Sequence, residues 1–118
     1  MGSQVIATCG CGLEESLRIG GGMRNFQTTC LFPCLCEHCH RIVEVSLLKR
    51  SLKCPACHAP DPIPYDDPRL STSPGQHHVA EWDMEVQLGR TLVLTDGRYR
   101  CPRCGEMSLE FREGGRWD

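Results

Sequence analysis

Ten cysteines in a chain of 118 residues constrain this sequence more than any other feature. Eight of them form close pairs, three of the type C-x-x-C and one of the type C-x-C: Cys9/Cys11, Cys36/Cys39, Cys54/Cys57 and Cys101/Cys104. A disulfide between cysteines so near in sequence closes a short loop and adds little stability. A tetrahedral metal ion favours such pairs, because one tight turn presents two thiolates to the same ion. The spacing therefore predicts metal ligation in a reducing compartment instead of a disulfide framework.

The small number of aromatic residues suggests that a metal ion is needed to stabilise the fold. The chain contains 3 Phe, 2 Tyr and 2 Trp, so a domain of this length cannot build a large core from bulky side chains. A structural zinc site supplies about 10–16 kcal/mol of apparent binding free energy. That is comparable to the whole stability of a domain. We therefore expect folding to depend on bound metal.

The strongest single motif is Cys36-x2-Cys39-x14-Cys54-x2-Cys57, which we predict to be the first metal site. The residues at 41–48 are mostly β-branched or apolar and predict a strand, and we expect a second short strand to lead into Cys54. His40 and His58 each follow the last cysteine of a pair, where such turns need a positive φ that His tolerates. We therefore predict that both are turn residues and not ligands.

A second site is predicted from the two remaining pairs, Cys9 and Cys11 with Cys101 and Cys104, each followed by glycine at Gly12 or Gly105. In the alternative arrangement, Cys30 and Cys34 complete this site with Cys101 and Cys104 and leave Cys9 and Cys11 without a role. Under the first arrangement Cys30 and Cys34 are surplus. They are then either buried apolar residues or exposed thiols open to oxidation.

The strand patterns predict a mostly β, metal-stapled fold with short antiparallel sheets. The predicted strands are 5–7, 13–19, 26–32, 41–48, one uninterrupted strand at 80–88 with Trp82 on its buried side, and an Asp-Gly hairpin at 95–97 joining 91–94 to 98–100. Met107, Leu109 and Phe111 alternate with polar residues and predict one buried face. We expect one compact unit over 1–118, with a central ribbon at 30–65, a linker at 66–78, and a β segment at 79–113 that packs with 4–30.

The net charge and the distribution of basic residues lead to two predictions about binding partners. The formal net charge is −2 and becomes about −6 if eight thiolates bind two divalent ions, which argues against non-specific binding to nucleic acid. Two basic patches are nevertheless present: Arg41, Lys49, Arg50 and Lys53 on the central ribbon, and Arg98, Arg100 and Arg103 at the last cysteine pair. These cations either contact nucleic acid or offset the charge of the thiolates.

The cysteine pairs and strands resemble those of the zinc β-ribbon superfamily. Small bacterial proteins of this type are similar over 9–65 and 98–111, through the Cys9-Gly10-Cys11-Gly12 start, the phrase from Phe32 to Cys39 and the Cys54-Pro55-Ala56-Cys57 turn. The resemblance implies metal binding and a mostly β fold but no activity. The Cys-Pro-x-Cys turns also resemble those of rubredoxins, which hold iron for electron transfer. Sulfur coordination suits both metals, and we favour two zinc ions over iron.

No catalytic motif emerges from the sequence. The segment His78-Val79-Ala80-Glu81 is H-x-x-E and lacks the H-x-E spacing of zinc deaminases, and all-thiolate metal sites are usually closed and structural. No apolar run is long enough to span a bilayer, and we find no secretory signal. We therefore expect a cytoplasmic, non-enzymatic zinc protein that serves as a protein-interaction or adaptor module. The alternatives are a zinc ribbon that binds nucleic acid and an iron protein that transfers electrons.

Overall fold

The computed structural model describes residues 2–21, 29–49, 51–71 and 75–117, and it confirms a mostly β fold with small antiparallel sheets. Eight strands and one helical turn follow one another along the chain. They are β1 Gly2–Thr8, β2 Glu14–Gly20, β3 Leu31–Cys36, β4 Arg41–Ser46, β5 Ile63–Pro64, β6 His78–Met84, α1 Glu85–Leu88, β7 Arg90–Thr95 and β8 Glu110–Trp117. A short 3₁₀ turn, Pro68–Leu70, lies between β5 and β6.

Six of the strands form one sheet in the order β4-β3-β2-β1-β8, with β5 added beside β3. Strand β1 pairs with β2 from Gly2↔Gly20 to Thr8↔Glu14, and with β8 up to Thr8↔Glu110. The N-terminal and C-terminal strands therefore lie side by side. This pairing places the segment that follows Thr8 next to the segment that precedes Glu110.

One edge of β3 is divided between two short partners. Strand β2 pairs with β3 only at Gly20↔Leu31, and β5 pairs with it at Cys34↔Pro64 and Leu35↔Ile63. Between these contacts lies Pro33, which has no N–H to donate to a ladder. The ladder between β2 and β3 therefore ends after one pair.

A side chain then takes the place of the missing ladder partner. If the register continued, Arg18 would lie opposite Pro33, but the Pro33 carbonyl accepts the N–H of Tyr65 at 3.0 Å. The backbone N–H of Arg18 is donated to the Glu44 carboxylate, which also accepts the Arg18 guanidinium at 3.1 Å. Strand β2 is thus separated from β3 over the residues that precede Gly20.

The second sheet contains only β6 and β7, and it corrects the predicted strand at 80–88. The strand ends at Met84, and Glu85–Leu88 forms a helical turn that Gly89, at φ +74°, connects to β7. The Asp83 carboxylate accepts the N–H of Glu85 at 3.0 Å, which favours a helical turn at this point. The alternation therefore predicts the first half of the segment correctly and the second half wrongly.

The predicted Asp-Gly hairpin is also wrong. Strand β7 pairs with β6 and not with 98–100, and Tyr99 forms an isolated bridge with Leu109 instead. The Asp96 carboxylate accepts the backbone N–H groups of Gln76 at 2.8 Å and His77 at 3.2 Å, so it connects the end of β7 to the start of β6.

Two further strand predictions have different outcomes. The short strand expected before Cys54 is reduced to one bridge, Lys53↔Pro60. Most of the strand predicted at 26–32 lies outside the described residues, and β3 begins at Leu31.

The core lies between the two sheets and centres on three aromatic rings. Tyr65, Tyr99 and Phe111 contact one another edge to face, with centroids 5.1 to 6.0 Å apart. Trp82 is half buried and packs against the edge of this core. Cys30 and Cys34 are fully buried, so they are core residues and not exposed thiols. Burial raises the pKa of Cys30 to about 11 and raises that of Cys34 further, which keeps both thiols protonated.

None of the described residues belongs to a helix with the length and hydrophobicity needed to cross a membrane.

Candidate metal centres

Two groups of four cysteines converge in the fold. Cluster 1 contains Cys36, Cys39, Cys54 and Cys57, and cluster 2 contains Cys9, Cys11, Cys101 and Cys104. In each cluster the four Sγ atoms lie within 4.8 Å of one another. The structure thus brings together both predicted groups of four residues.

Cluster 1 lies where β3 turns into β4. Cys36 is the last residue of β3, and Cys39 lies in the turn that leads to β4. The second pair is shaped by bonds from the N–H of His58 to the Cys54 carbonyl and from the N–H of Cys54 to the Ala59 carbonyl, each 2.9 Å long. His40 and His58 have φ values of +55° and +64°, which confirms that they occupy the left-handed turn position.

Cluster 2 lies beyond the end of β1 and ahead of β8. Its first pair follows Thr8, and its second pair occupies the loop before Glu110, so the pairing of β1 with β8 brings the two together. Gly12 and Gly105 have φ values of +103° and +78°, which confirms the turn role expected of each glycine.

The sulfur spacing tests whether a metal ion fits. The distances between Sγ atoms are 3.6 Å for Cys36–Cys57 and 3.8 Å for Cys39–Cys54 in cluster 1. In cluster 2 they are 3.7 Å for Cys9–Cys104 and 3.7 Å for Cys11–Cys101. Four thiolates at about 2.3 Å from a tetrahedral ion lie about 3.8 Å from one another. A disulfide requires about 2.05 Å, and all ten cysteines are free. Both clusters therefore have the dimensions of a tetrahedral sulfur site.

Local hydrogen bonds lower the pKa of one thiol in each cluster. The backbone N–H of Cys11 and the Ser108 hydroxyl lower the pKa of Cys9 to about 6. Burial opposes ionisation of Cys54, but the N–H groups of Cys57 and Ala56 outweigh it and lower the pKa of Cys54 to about 7. A thiolate attracts a cation, and the cation then displaces protons from the remaining thiols.

Cys39 and Cys101 retain their protons in the absence of a cation. Burial, reinforced by neighbouring thiols, raises the pKa of Cys39 to about 12 and that of Cys101 to about 12. Metal binding at neutral pH must therefore release protons from both clusters.

The two clusters differ in their exposure to solvent. In cluster 1, Cys36 and Cys54 are buried and the other two cysteines are half buried. In cluster 2 only Cys101 is buried, and Cys11 and Cys104 are exposed. Cluster 2 is therefore the more accessible of the two.

One residue at cluster 2 was missed by the sequence reasoning. The Ser108 hydroxyl lies 3.1 Å from Cys9 Sγ and 3.8 Å from Cys104 Sγ. Its position as a polar residue between Met107 and Leu109 indicates only that it faces away from the core. The pairing of the chain ends, which the sequence does not reveal, is what places it beside the thiols.

The alternative ligand set is not assembled. Cys30 and Cys34 lie on β3 in the core, and neither belongs to the group that contains Cys101 and Cys104.

A groove of about 640 Å³ lies between the two clusters. Turn residues of both clusters line it, including Ala56 from cluster 1 and Gly12 and Arg103 from cluster 2. We call this the inter-cluster groove. A neighbouring groove of about 260 Å³ shares His40 and Arg103 with it and also contains Arg100.

These grooves bring together cations that are far apart in sequence. Arg41, from the predicted central patch, and Arg103, from the predicted C-terminal patch, line the same groove. Lys49, Lys53 and Arg98 do not line either groove, and Arg50 lies outside the described residues.

Comparisons with protein-family models, with curated proteins and with solved structures found no match to this chain. The candidate function therefore rests on the residues and their geometry.

Proposed function

We propose that both clusters bind zinc as a structural ion, and that the resulting two-zinc protein is a non-enzymatic module that binds another protein. The observation that carries the metal proposal is the spacing of the sulfur atoms, 3.6 to 3.8 Å in both clusters. Four thiolates form a closed structural site that leaves no open position for substrate. The ions would connect segments that are far apart in the chain, such as Cys9 and Cys104 in cluster 2.

We prefer zinc to iron because the proposed role of both sites is structural. Zinc has no redox chemistry and stabilises small folds outright. Burial and local hydrogen bonds give each cluster the thiol environment that either metal accepts. The metals are separated by colour, since an iron–thiolate site absorbs visible light and a zinc site does not.

The role as a binding module is supported by the shape of the surface. The grooves beside the clusters are lined by charged side chains, backbone turns and a few apolar residues. Such open surfaces suit an extended partner better than a small substrate, which binds in concave and mostly apolar pockets.

A chelator titration tests the structural role of the metal. A strong zinc chelator should abolish the near-UV signal of the aromatic core cooperatively, and added zinc should restore it. Retention of the full signal after removal of all metal would contradict the proposal.

A second candidate function is binding of nucleic acid. The observation in its favour is the presence of Arg41, Arg100 and Arg103 on two grooves that share His40. Two zinc–thiolate clusters add about four negative charges nearby, so the cations serve at least partly to offset them. A titration with single-stranded DNA at increasing salt distinguishes the two, because binding through phosphates weakens steeply with salt.

A further inference from the structure

We propose that cluster 2 is a reversible oxidation site, at which a peroxide joins Cys9 and Cys104 in a disulfide and the zinc ion of this cluster is released. Cluster 1 keeps its ion under the same conditions. This inference rests on the proposed function, because it requires zinc in both clusters.

The two clusters offer the same four ligands but differ in their exposure to solvent. Zinc binding keeps all eight cysteines as thiolates, and the thiolate is the form of cysteine that an oxidant attacks. Access therefore decides which cluster reacts. Cluster 2 has one exposed cysteine in each of its pairs, Cys11 and Cys104, whereas every cysteine of cluster 1 is buried or half buried. A dissolved oxidant reaches a sulfur of cluster 2 first.

The position of cluster 2 in the fold accounts for this access. Its two pairs lie at the Thr8↔Glu110 end of the β1–β8 ladder, and the chain continues beyond Trp117 at the other end, about 20 Å away along the strands. Hydrogen peroxide is small and uncharged. The mixed charges of the inter-cluster groove nearby, from Glu14, Glu15 and Arg103, therefore do not exclude it.

The contacts between sulfur atoms identify the two cysteines that join. Both contacts of 3.7 Å in cluster 2 cross from one pair to the other, Cys9 with Cys104 and Cys11 with Cys101. Cys101 is fully buried, whereas Cys9 is half buried and can move with less disturbance of the core. The sulfurs of Cys9 and Cys104 must approach by about 1.7 Å to form a disulfide. The Ser108 hydroxyl contacts both of them, at 3.1 and 3.8 Å, so they face a common point.

The reaction consumes one peroxide and two thiolates. The Cys104 thiolate attacks one oxygen of hydrogen peroxide, the O–O bond breaks, hydroxide leaves, and Cys104 becomes a sulfenic acid. The Cys9 thiolate then attacks the Cys104 sulfur, the S–O bond breaks, and a second hydroxide leaves as the disulfide forms. The two sulfurs lose two electrons, and the peroxide gains them. Two thiolates then remain in cluster 2, too few for a structural zinc ion, which needs four ligands.

The disulfide keeps the chain ends linked after the zinc ion has left. Cys9 follows β1 and Cys104 precedes β8, so a bond between them closes a loop that contains most of the chain. Cross-links that close long loops restrict the unfolded chain most. We therefore expect the oxidised protein to remain folded with cluster 1 loaded. A thiol reductant restores both thiolates by exchange, and zinc can then bind again.

The test treats the zinc-loaded full chain with hydrogen peroxide. A zinc indicator should record the release of one of the two ions, and peptide mapping by mass spectrometry should find the disulfide between Cys9 and Cys104. The near-UV signal of the aromatic core should persist, and a thiol reductant with added zinc should return the second ion. Retention of both ions, a disulfide between other cysteines, or sulfinic acid in place of a disulfide would overturn the proposal.

Two pair variants assign the release to one cluster. Cys36→Ser/Cys39→Ser keeps cluster 2 and should release its ion as fast as the parent releases its first ion. Cys101→Ser/Cys104→Ser keeps cluster 1 and should lose its ion at least about tenfold more slowly, because its thiolates are less exposed. Cys30→Ala, which changes a buried cysteine outside both clusters, should behave as the parent does. Equal rates in the two pair variants would overturn the role of exposure.

Alkylation of the oxidised parent gives the same comparison without any variant. After one ion has been released, iodoacetamide should modify Cys11, which has lost its metal, and should leave the four cysteines of cluster 1 unmodified. Modification of cluster 1 together with protection of Cys11 would show that the wrong cluster had opened.

Zinc content before oxidation separates this inference from the proposed function. A sample that begins with two zinc ions per chain and keeps both in peroxide overturns only the inference. A folded sample that contains no metal before treatment overturns the structural role of zinc, whatever peroxide does to it.

Discussion

Gly20 shows how one residue sets the approach of the two sheets. Its φ is +88°, and a Cβ built on it would lie 2.5 Å from a ring carbon of Trp82. The β6–β7 hairpin therefore packs on the main sheet through an indole ring laid directly over a glycine. Any side chain at this position must displace the ring.

Gly20→Ala should destabilise the protein by about 2–4 kcal/mol, because it combines the strain of a positive φ with overpacking. Gly89→Ala is the matched control, since Gly89 also has a positive φ, +74°, but its Cβ would meet no atom within 4 Å. Urea unfolding of the two variants should show a clearly larger loss of stability for Gly20→Ala. Equal losses would mean that the ring contact has no effect.

The backbone conformation of single turn residues was the most predictable feature of the chain. The turn roles of Gly12, Gly105, His40 and His58 follow from their place after a cysteine pair, and all four have positive φ values. Local backbone geometry depends on neighbours in sequence, which is why it can be predicted. The contact between Ser108 and Cys9 depends on residues 99 positions apart, and no local pattern indicates it.

At the scale of elements, Tyr99 connects the hairpin to the core. Its hydroxyl accepts the backbone N–H of Thr95 at 2.8 Å, and its ring packs against Tyr65 and Phe111. This contact replaces the hairpin pairing predicted from the Asp-Gly turn. The last residue of β7 is therefore held by a hydrogen bond to a side chain and not by pairing with residues 98–100.

Tyr99→Phe should cost about 1–3 kcal/mol, because it removes the acceptor of the Thr95 N–H. The comparison variant is Tyr65→Phe, which removes the bond from the Tyr65 hydroxyl to the Arg100 carbonyl at 2.8 Å. Both changes remove one hydroxyl from the same cluster, but only Tyr99→Phe should speed hydrogen exchange at the Thr95 amide. Unchanged exchange at Thr95 would contradict this role.

Strand existence was easier to predict than strand ends and partners. Alternation of apolar and polar residues over 80–88 predicts one strand with one face turned inward. The residues from Glu85 to Leu88 keep this alternation by chance, but they form a helical turn that buries none of them. The Asp-Gly pair at Asp96 indicates a turn, yet its carboxylate caps the start of β6 instead. The early end of the ladder between β2 and β3 follows from Pro33 only once the register is known.

For the whole molecule, zinc affinity should rise steeply with pH. Cys9 and Cys54 have lowered pKa values of about 6 and about 7, so their thiolates stabilise the metal-free fold above the ordinary thiol pKa, and this contribution is lost as pH falls through those values. Cys39 and Cys101, at about 12, must lose protons on binding at neutral pH. Raising the pH from 6 to 8 should therefore tighten zinc binding.

Competition with a zinc indicator across this range measures the effect. A slope of about one or more in the logarithm of affinity per pH unit is expected, because Cys39 in cluster 1 and Cys101 in cluster 2 each release a proton on binding. A flat profile would show that the thiols are not the ligands.

Cluster 2 depends on the pairing of the chain ends, which no local pattern in the sequence reveals. Cluster 1 is predicted by spacing alone, since its cysteines lie within 22 consecutive residues. Cluster 2 joins residues separated by most of the chain, and it forms because β8 pairs with β1. The assignment of both groups as ligands remains a prediction.

Elemental analysis of metal per chain tests that assignment most directly. We expect two zinc ions in the parent protein and in Cys30→Ala, a control that changes a cysteine outside both clusters. One zinc ion should remain in Cys36→Ser/Cys39→Ser and one in Cys101→Ser/Cys104→Ser. A parent protein that is folded without metal, that holds iron, or whose pair variants retain both zinc ions would contradict the account.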